Sequence, residues 1–256
     1  MEPTSIVAPS LGLAEARTAY GRGTAVWSAP CLLHVEEDWW IALSLAPCVD
    51  YNMALLHGAD GADAVSQVLD EVKSAHVPAV IMLAGAGLQA GNALADAGWV
   101  CTGALPFMGQ GSVPAQDDPD VRLLAQHDFV QARGLASSAF GAAEAVGATI
   151  YSEDALEREG TRFWGLFEED TLRCCAVSQY IDGRYSVGWG LSTAPENQRA
   201  GYGRRLMQAY SARRVAEGLP VALLMATPEG RHLYEQLGFA TLEYWQIWSR
   251  RRWVLP

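Results

Sequence analysis

Strand-like and helix-like hydrophobic periods alternate through the second half of the chain. Three apolar runs, at 162–168, 172–180 and 185–191, are separated by polar turn residues, among them Asp182 and Gly183. Asp-Gly tolerates the positive φ angles of a tight hairpin, so this pattern predicts a three-stranded antiparallel meander. In front of it, the pattern predicts a short strand over 121–125 and a helix beginning near Phe129.

The alternation continues after the meander. Leu206, Met207 and Tyr210 lie three and four residues apart, which predicts a helix over 203–217 with Gly218 at its C-cap. Beyond it, the pattern predicts a strand, a short helix ended by a glycine and a closing strand, over residues 221–225, 231–236 and 241–248. The predicted order is βα, βββ, αβ, αβ.

A polar segment divides the chain. Residues 109–120, GQGSVPAQDDPD, have the composition of a linker. On each side a Val-Pro or Leu-Pro pair precedes an apolar run and a helical segment ending in Gly-Trp or Gly-Phe, about 140 residues apart. We favour an internal duplication over chance similarity. The predicted domains are residues 1–108 and 121–256, joined by the linker.

Composition narrows the classes of function. The 256 residues are 50% apolar, enough for two modest cores, and the net charge of −11 opposes binding to a phosphate backbone. The N-terminal residues lack the pattern of a secretory signal, and the most apolar stretch, 77–88, is too short for a membrane span. We therefore expect a cytoplasmic protein without nucleic-acid or membrane partners.

The cysteines are odd in number and scattered. None of Cys31, Cys48, Cys101, Cys174 and Cys175 has the spacing to histidines that zinc sites show. We expect small core residues in a reducing compartment, and no bound metal.

Chemistry concentrates between the third meander strand and the next helix. The sequence there runs LSTAPENQRAGYGRRL, and Gly201 and Gly203 leave the backbone open to a ligand just where a helix presents unpaired N–H groups. Such a helix start suits a pyrophosphate. Alone, Gly-x-Gly is weak evidence, and an ordinary tight loop is the alternative.

Five arginines surround this segment in an otherwise acidic chain. We expect Arg199, Arg204 and Arg205 to attract phosphate, whereas Arg213 and Arg214 fit a solvated helix end that complements the helix dipole.

At these residues the chain resembles the GNAT superfamily of N-acetyltransferases. Gln198-Arg-Ala-Gly-Tyr-Gly203 is similar to the acyl-coenzyme A (CoA) signature of that family, and residues 233–239, LYEQLGF, are similar to its second landmark. Both stand in the expected order, and the resemblance covers residues 121–252. It implies an α/β (α+β) fold with a mixed, mostly antiparallel, splayed sheet flanked by helices, and two tandem GNAT-like domains if the duplication holds.

The resemblance also implies residue roles. Tyr234 matches the tyrosine that protonates the leaving thiolate, with a merely packed aromatic as the alternative. The pantetheine and pyrophosphate of acetyl-CoA would be held by Leu191, Ser192, Thr193, Gln198, Arg199, Ala200, Gly201, Tyr202, Gly203 and Arg204. Many GNAT enzymes carry a glutamate on the strand before this loop, but that strand here, YSVGWG, has none. Glu168, Glu169 and Asp182 fit solvated turns, so no general base is assigned.

The first half lacks the signature, since its corresponding stretch, 56–61, has no Gly-x-Gly, and we expect it to bind no CoA. Glu36, Glu37 and Asp38 beside two tryptophans could form a pocket for a cationic amine, but a turn followed by buried tryptophans is favoured.

The leading hypothesis is therefore acetyl transfer from acetyl-CoA to a primary amine of a small molecule by direct attack. The alternatives are a non-catalytic acyl-CoA-binding regulator and a protein or peptide N-acetyltransferase. The expected ligands are acetyl-CoA and an amine acceptor. A homodimer is compatible with the sequence.

Overall fold

The structure, a computed structural model, describes residues 12–28, 32–44, 46–114, 116–141 and 144–254. Their contacts divide the chain into two compact units. Of the described residues, the N-terminal unit holds 12–107 and 241–254, and the C-terminal unit holds 108–240. In the described ranges, no helix is long and apolar enough to cross a membrane.

The N-terminal unit combines a mixed sheet with helices and two 3-10 segments, Val49–Tyr51 and Gly85–Ala90. Its helices are α1 (Leu13–Ser28), α2 (Ala59–Asp63), α3 (Val65–Ala75), α4 (Gly91–Asp96) and α10 (Arg251–Val254). Its strands are β1 (Leu32–Val35), β2 (Trp39–Leu43), β3 (Asn52–Leu56), β4 (Val80–Leu83), most of β5 (Val100–Gln110), and β11 (Ala240–Ser249), the last strand of the chain.

The strands of this unit lie in the order β1-β2-β3-β4-β11-β5. β3 and β4 are parallel, whereas β1, β2 and β3 pair antiparallel in sequence and β11 pairs antiparallel with β4. On α3, Val65, Val68 and Val72 are spaced three and four apart, so they share one face and pack with buried strand residues such as Ile41 and Ile81.

The C-terminal unit begins with the end of β5. Its other strands are β6 (Val121–Leu123), β7 (Thr161–Glu168), β8 (Thr171–Ile181), β9 (Tyr185–Thr193) and β10 (Val221–Met225). Its helices are α5 (Phe129–Phe140), α6 (Glu144–Ile150), α7 (Glu153–Leu156), α8 (Tyr202–Ala216) and α9 (Pro228–Gln236), with 3-10 turns at Gln126–Asp128 and Pro195–Asn197. The strand order is β5-β10-β9-β8-β7-β6, antiparallel from β6 to β9, with β9 parallel to β10.

The predicted meander and its following helices are confirmed, each within a few residues. Asp182 and Gly183 both have positive φ, 53° and 61°, as the hairpin between β8 and β9 requires. The unit has two cores. One packs Leu206, Met207 and Tyr210 of α8 against the sheet, and the other packs α5 on the opposite side of the strands.

The compact units differ from the predicted domain limits in two places. Residues 109–110, predicted as linker, are the last two residues of β5, and 111–114 and 116–120 have no helix or strand. The predicted closing strand of 121–256 lies in the N-terminal unit, where Ser249 pairs with Val80 and Gln246 with Leu83. An alternating pattern identifies a strand but not its partner, which is why the sequence could not place β11. The domain limits stay a prediction.

The two halves share a succession of elements. In the N-terminal unit three antiparallel strands lead through helices to a parallel strand, β1-β2-β3 then β4. In the C-terminal unit β7-β8-β9 lead through α8 to β10 in the same way. This succession is what a duplication predicts.

Candidate active site

The candidate site of the C-terminal unit lies where β9 and β10 stop pairing. Their parallel register runs from Tyr185 opposite Val221 to Gly188 opposite Leu224, while β9 continues to Thr193. At Gly190, with φ of 63°, the pairing of β9 with β8 also shifts. A bulge near this glycine thus interrupts the pairing with β8, which resumes at Ser192 and Thr193, whereas the pairing with β10 does not continue beyond Gly188.

A small pocket lies between these strands. It is lined by Trp164, Ala176, Val177, Ser178, Gly188, Trp189, Leu191, Met207, Tyr210, Ala222, Leu223, Leu224, Tyr234 and Phe239. The lining is almost wholly apolar and aromatic, with hydroxyls at Ser178, Tyr210 and Tyr234. Those of Ser178 and Tyr210 are already engaged, with Trp164 Nε1 at 2.9 Å and Ser186 Oγ at 2.7 Å.

Tyr234 projects from α9 into this pocket. Its ring packs edge-on against Phe239, with 5.5 Å between ring centroids, and no described residue hydrogen-bonds its hydroxyl. Burial raises the pKa of the Tyr234 phenol well above its usual value of 10.0, and nearby Cys174 and Tyr210 add to the shift. At neutral pH the phenol is protonated and can donate.

The loop before α8 is open. Gly201 is exposed, has φ of 92°, and a Cβ there would meet nothing within 4 Å. It is the N-cap of α8, and no side chain caps the helix. A Cβ on Gly203 would make ordinary contacts, 3.5 Å from Leu233 and 3.7 Å from Leu191. The first backbone N–H groups of α8 are therefore accessible to an anion at Gly201.

The remaining predicted coenzyme residues lie along β9 and this loop. Ser192 Oγ donates to Gly190 O at 2.8 Å, and Thr193 Oγ1 donates to Cys174 Sγ at 3.3 Å. Gln198, Arg199 and Ala200 are exposed, and Leu191 is half-buried in the pocket wall. The structure thus brings the predicted residues 191–193 and 198–204 into one strand-loop-helix segment beside Tyr234.

The five arginines divide differently from the prediction. Arg199 is exposed and pairs with no described residue, and exposed Arg204 bonds Gln236 alone among the residues described, so both stay candidates for phosphate. Arg205 is already bound by Asp118 at 2.8 Å, Asp120 at 2.6 Å and Glu168 at 3.4 Å. Three carboxylates satisfy its guanidinium, so the prediction that Arg205 binds phosphate was wrong.

The expectation of a solvated helix end was wrong for Arg214 but not for Arg213, which is half-buried in the last turn of α8. Arg213 pairs with Asp117 at 2.9 Å. Arg214 is fully buried, and its guanidinium donates to Gln110 Oε1, Gly111 O and Leu219 O at 2.6–2.7 Å.

The carboxylates near the site are not placed as bases. Glu169 and Asp182 are exposed, as predicted. Glu168 is not simply solvated, because it accepts a hydrogen bond from the Tyr202 hydroxyl at 2.7 Å and pairs with Arg205. It supports the start of α8 instead.

The cysteines and potential metal ligands contribute no group to the candidate site among the described residues. Cys174 and Cys175 are core residues, and burial raises the pKa of each thiol to about 12. Cys48 is half-buried and Cys101 is exposed, so the core prediction was wrong for Cys101, while Cys31 lies outside the described residues. No group of three or more potential metal ligands occurs in the described part of the chain.

The N-terminal counterpart of the open loop is closed by Asp38. This loop follows β3 as the open loop follows β9, and Asp38 O accepts from His57 N and Gly58 N at 2.9 and 3.0 Å. Its carboxylate accepts from Asp60 N at 3.1 Å. A Cβ on Gly58 would lie 1.9 Å from that carboxylate, so the carboxylate sits directly on the loop. The favoured interpretation of 36–40 as a turn before buried tryptophans is confirmed, with Trp39 and Trp40 at 7% and 0% exposure.

Comparisons with known proteins agree with this geometry. Residues 159–241 match the family model described as an acetyltransferase (GNAT) domain. The chain is similar to a GCN5-related N-acetyltransferase from Kribbella flavida, with 16% identity, TM-score 0.68, and coverage of 94% of this chain and 97% of that one. The chain is also similar to a GCN5-related N-acetyltransferase from Sphaerobacter thermophilus, with 11% identity, TM-score 0.58, and coverage of 83% of this chain and 76% of that one.

A tandem GNAT protein from the clavulanic acid biosynthesis pathway is 12% identical, with TM-score 0.53 and coverage of 82% of this chain and 77% of that one. No curated protein matches the chain. At these identities the likeness shows the fold, which is the GNAT fold, and the match to the GNAT family model covers residues 159–241. The predicted fold class and family resemblance are confirmed.

Proposed function

We propose that the C-terminal unit transfers an acetyl group from acetyl-CoA to a primary amine of a small molecule. The observation that carries the proposal is the open start of α8 at Gly201, next to a pocket into which a protonated tyrosine projects whose hydroxyl has no partner among the described residues. The open helix start suits a diphosphate, and the protonated tyrosine suits a leaving thiolate.

The residues fit acetyl-CoA in three places. The amides at the start of α8, with Arg199 and Arg204, would hold the diphosphate. The edge of β9 beyond Gly188, which no longer pairs with β10, would offer backbone hydrogen bonds to pantetheine from Leu191–Thr193. The apolar pocket would surround the acyl end and exclude water.

The reaction then needs little from the protein. Acetyl-CoA supplies an activated acyl carbon, a neutral amine forms the new C–N bond, and the C–S bond breaks. The Tyr234 hydroxyl gives its proton to the departing sulfur, and the surplus proton of the amine passes through water to restore the Tyr234 phenol. Because no described carboxylate lines the pocket, the acceptor is expected to be an amine that is partly neutral in solution.

Tyr234→Phe tests the proposal. Removing one positioned proton donor should lower kcat about 100-fold, while the Kd for acetyl-CoA stays unchanged because the loop at Gly201 is untouched. Tyr244→Phe, at a residue that is 48% exposed, is the matched control. Thiol release from acetyl-CoA is measured with a panel of small amines.

The outcomes separate the candidate functions. Tight CoA binding with no thiol release for any amine would support the non-catalytic regulator. Release only with peptides would support a protein or peptide N-acetyltransferase. Equal kcat in wild type and Tyr234→Phe would show that Tyr234 is not the proton donor to the leaving sulfur.

A further inference from the structure

A buried polar network connects the helix that carries Tyr234 to the helix that begins at Gly201. Its centre is Gln110, the last residue of β5, which is 1% exposed. The Gln110 amide accepts from Arg214 Nη2 at 2.7 Å and from Ser211 Oγ at 3.0 Å, both on α8. On its other side, Gln110 Nε2 donates to Leu237 O at 2.6 Å.

Leu237 is the C-cap of α9, three residues after Tyr234. The last carbonyls of a helix have no partner within the helix, so a buried one must be satisfied from elsewhere. Gln110 supplies that donor at the end of α9. The Tyr234 hydroxyl has no described partner of its own, so the position of its ring depends on α9 and on packing with Phe239.

The other half of the network holds Gln110 in one orientation. Arg214 is fully buried, and no described carboxylate lies within ion-pair distance of it. Its guanidinium is instead surrounded by carbonyl and amide oxygens, which fixes the Gln110 oxygen toward Arg214 and therefore the Gln110 nitrogen toward Leu237. A glutamine is the residue that can accept on one side and donate on the other.

We propose that Gln110 is a positioning residue that sets the place of Tyr234 through the Leu237 carbonyl. The inference rests on the proposed role of Tyr234 as the proton donor to the leaving sulfur. Gln110 does not line the pocket, and its connection to Tyr234 runs through α9 by way of the Leu237 carbonyl.

Gln110→Glu isolates the interaction. The carboxylate keeps the acceptors for Arg214 and Ser211 and gains charge complementarity with Arg214, so the fold should survive. It loses the donor to Leu237 O and places an oxygen against an oxygen. We expect a kcat about 10-fold lower, with cooperative unfolding retained and the Kd for acetyl-CoA within about 2-fold of wild type.

A double-mutant cycle gives a result that a merely structural role would not. If Gln110 acts through Tyr234, then Gln110→Glu should cost nothing further in the Tyr234→Phe background. Independent, multiplying losses of kcat would overturn the inference, as would a wild-type kcat in Gln110→Glu.

Hydrogen exchange keeps the inference testable if no amine is found. Amides of residues 233–239 should exchange about 10-fold faster in Gln110→Glu, while those at the start of α8 stay unchanged. Unchanged exchange at α9 would overturn the Gln110 link whether or not the enzyme turns over. Absence of wild-type thiol release would instead count against the proposed function.

Discussion

The loop after β9 and the loop after β3 occupy equivalent places in the two units, but only the first is open to a ligand. After β9, Gly201 is exposed and α8 has no side-chain cap. After β3, Asp38 places its carboxylate on the amide of Asp60 and its carbonyl on His57 and Gly58. The N-terminal loop thus already holds an anion of its own, where the C-terminal loop could bind a phosphate.

Placing a carboxylate in the open loop should make it resemble its closed counterpart. In Gly201→Asp a like charge about 5 Å from a phosphate costs on the order of 3 kcal/mol at an effective dielectric of about 20. The Kd for CoA should rise about 100-fold. Isothermal titration calorimetry measures this directly.

Gly218→Asp is the matched control for that substitution. Gly218 follows the other end of α8, has φ of 84°, and like Gly201 would place a Cβ in open space. Backbone strain and added charge are therefore similar, and CoA affinity should not change. Equal losses of affinity in both variants would mean that the open loop is not the binding site.

The sequence could identify the open loop but not the closed one. Gln198, Gly201 and Gly203 form a local pattern, and local patterns determine turns and helix starts directly. Asp38 accepts a hydrogen bond from Asp60 N, 22 residues further along the chain. Nothing in the acidic run around Asp38 distinguishes it from a common surface turn. The sequence could not predict the buried contact between Gln110 and Arg214 for the same reason. The polar composition around Gln110 predicted a linker, and the position of Arg214 near the end of a helix predicted a solvated side chain. The placement of β11 likewise depends on tertiary pairing, here with β4.

Acid should affect the closed loop more than the open one. His57 lies in the closed loop at 3% exposure, and its Nε2 has no described partner. Burial and the charge of Arg17 lower its pKa from 6.5 to about 4, although Asp38 and Glu243 act in the opposite direction. The unfolded chain then binds a proton that the folded chain excludes, so stability falls as pH drops from 6.5 toward 4.

The expected loss is about 2 kcal/mol between about pH 7 and about pH 5 for a shift of this size. Urea unfolding at the two pH values measures it. His57→Gln should abolish most of this pH dependence, whereas His127→Gln, at a side chain that is 79% exposed, should retain it. An unchanged slope in His57→Gln would assign the acid sensitivity to other groups.

Removing the internal anion tests whether Asp38 is all that separates the two loops. Asp38→Ala leaves the carbonyl bonds to His57 and Gly58 in place and removes only the carboxylate on Asp60 N. Loss of such a cap costs about 1 kcal/mol, measurable as a lower urea midpoint, with exposed Glu37→Ala as control.

Even without the Asp38 carboxylate, the N-terminal loop should not bind CoA. A Cβ on Gly87 would lie 2.1 Å from Leu56 O, so the 3-10 segment presses directly on this strand end, and the Gly-x-Gly backbone of the open loop is missing. The expected stoichiometry is therefore one CoA per chain in wild type and in Asp38→Ala. Two sites in the variant would show that a single carboxylate, rather than the closed backbone around it, keeps the N-terminal loop from binding.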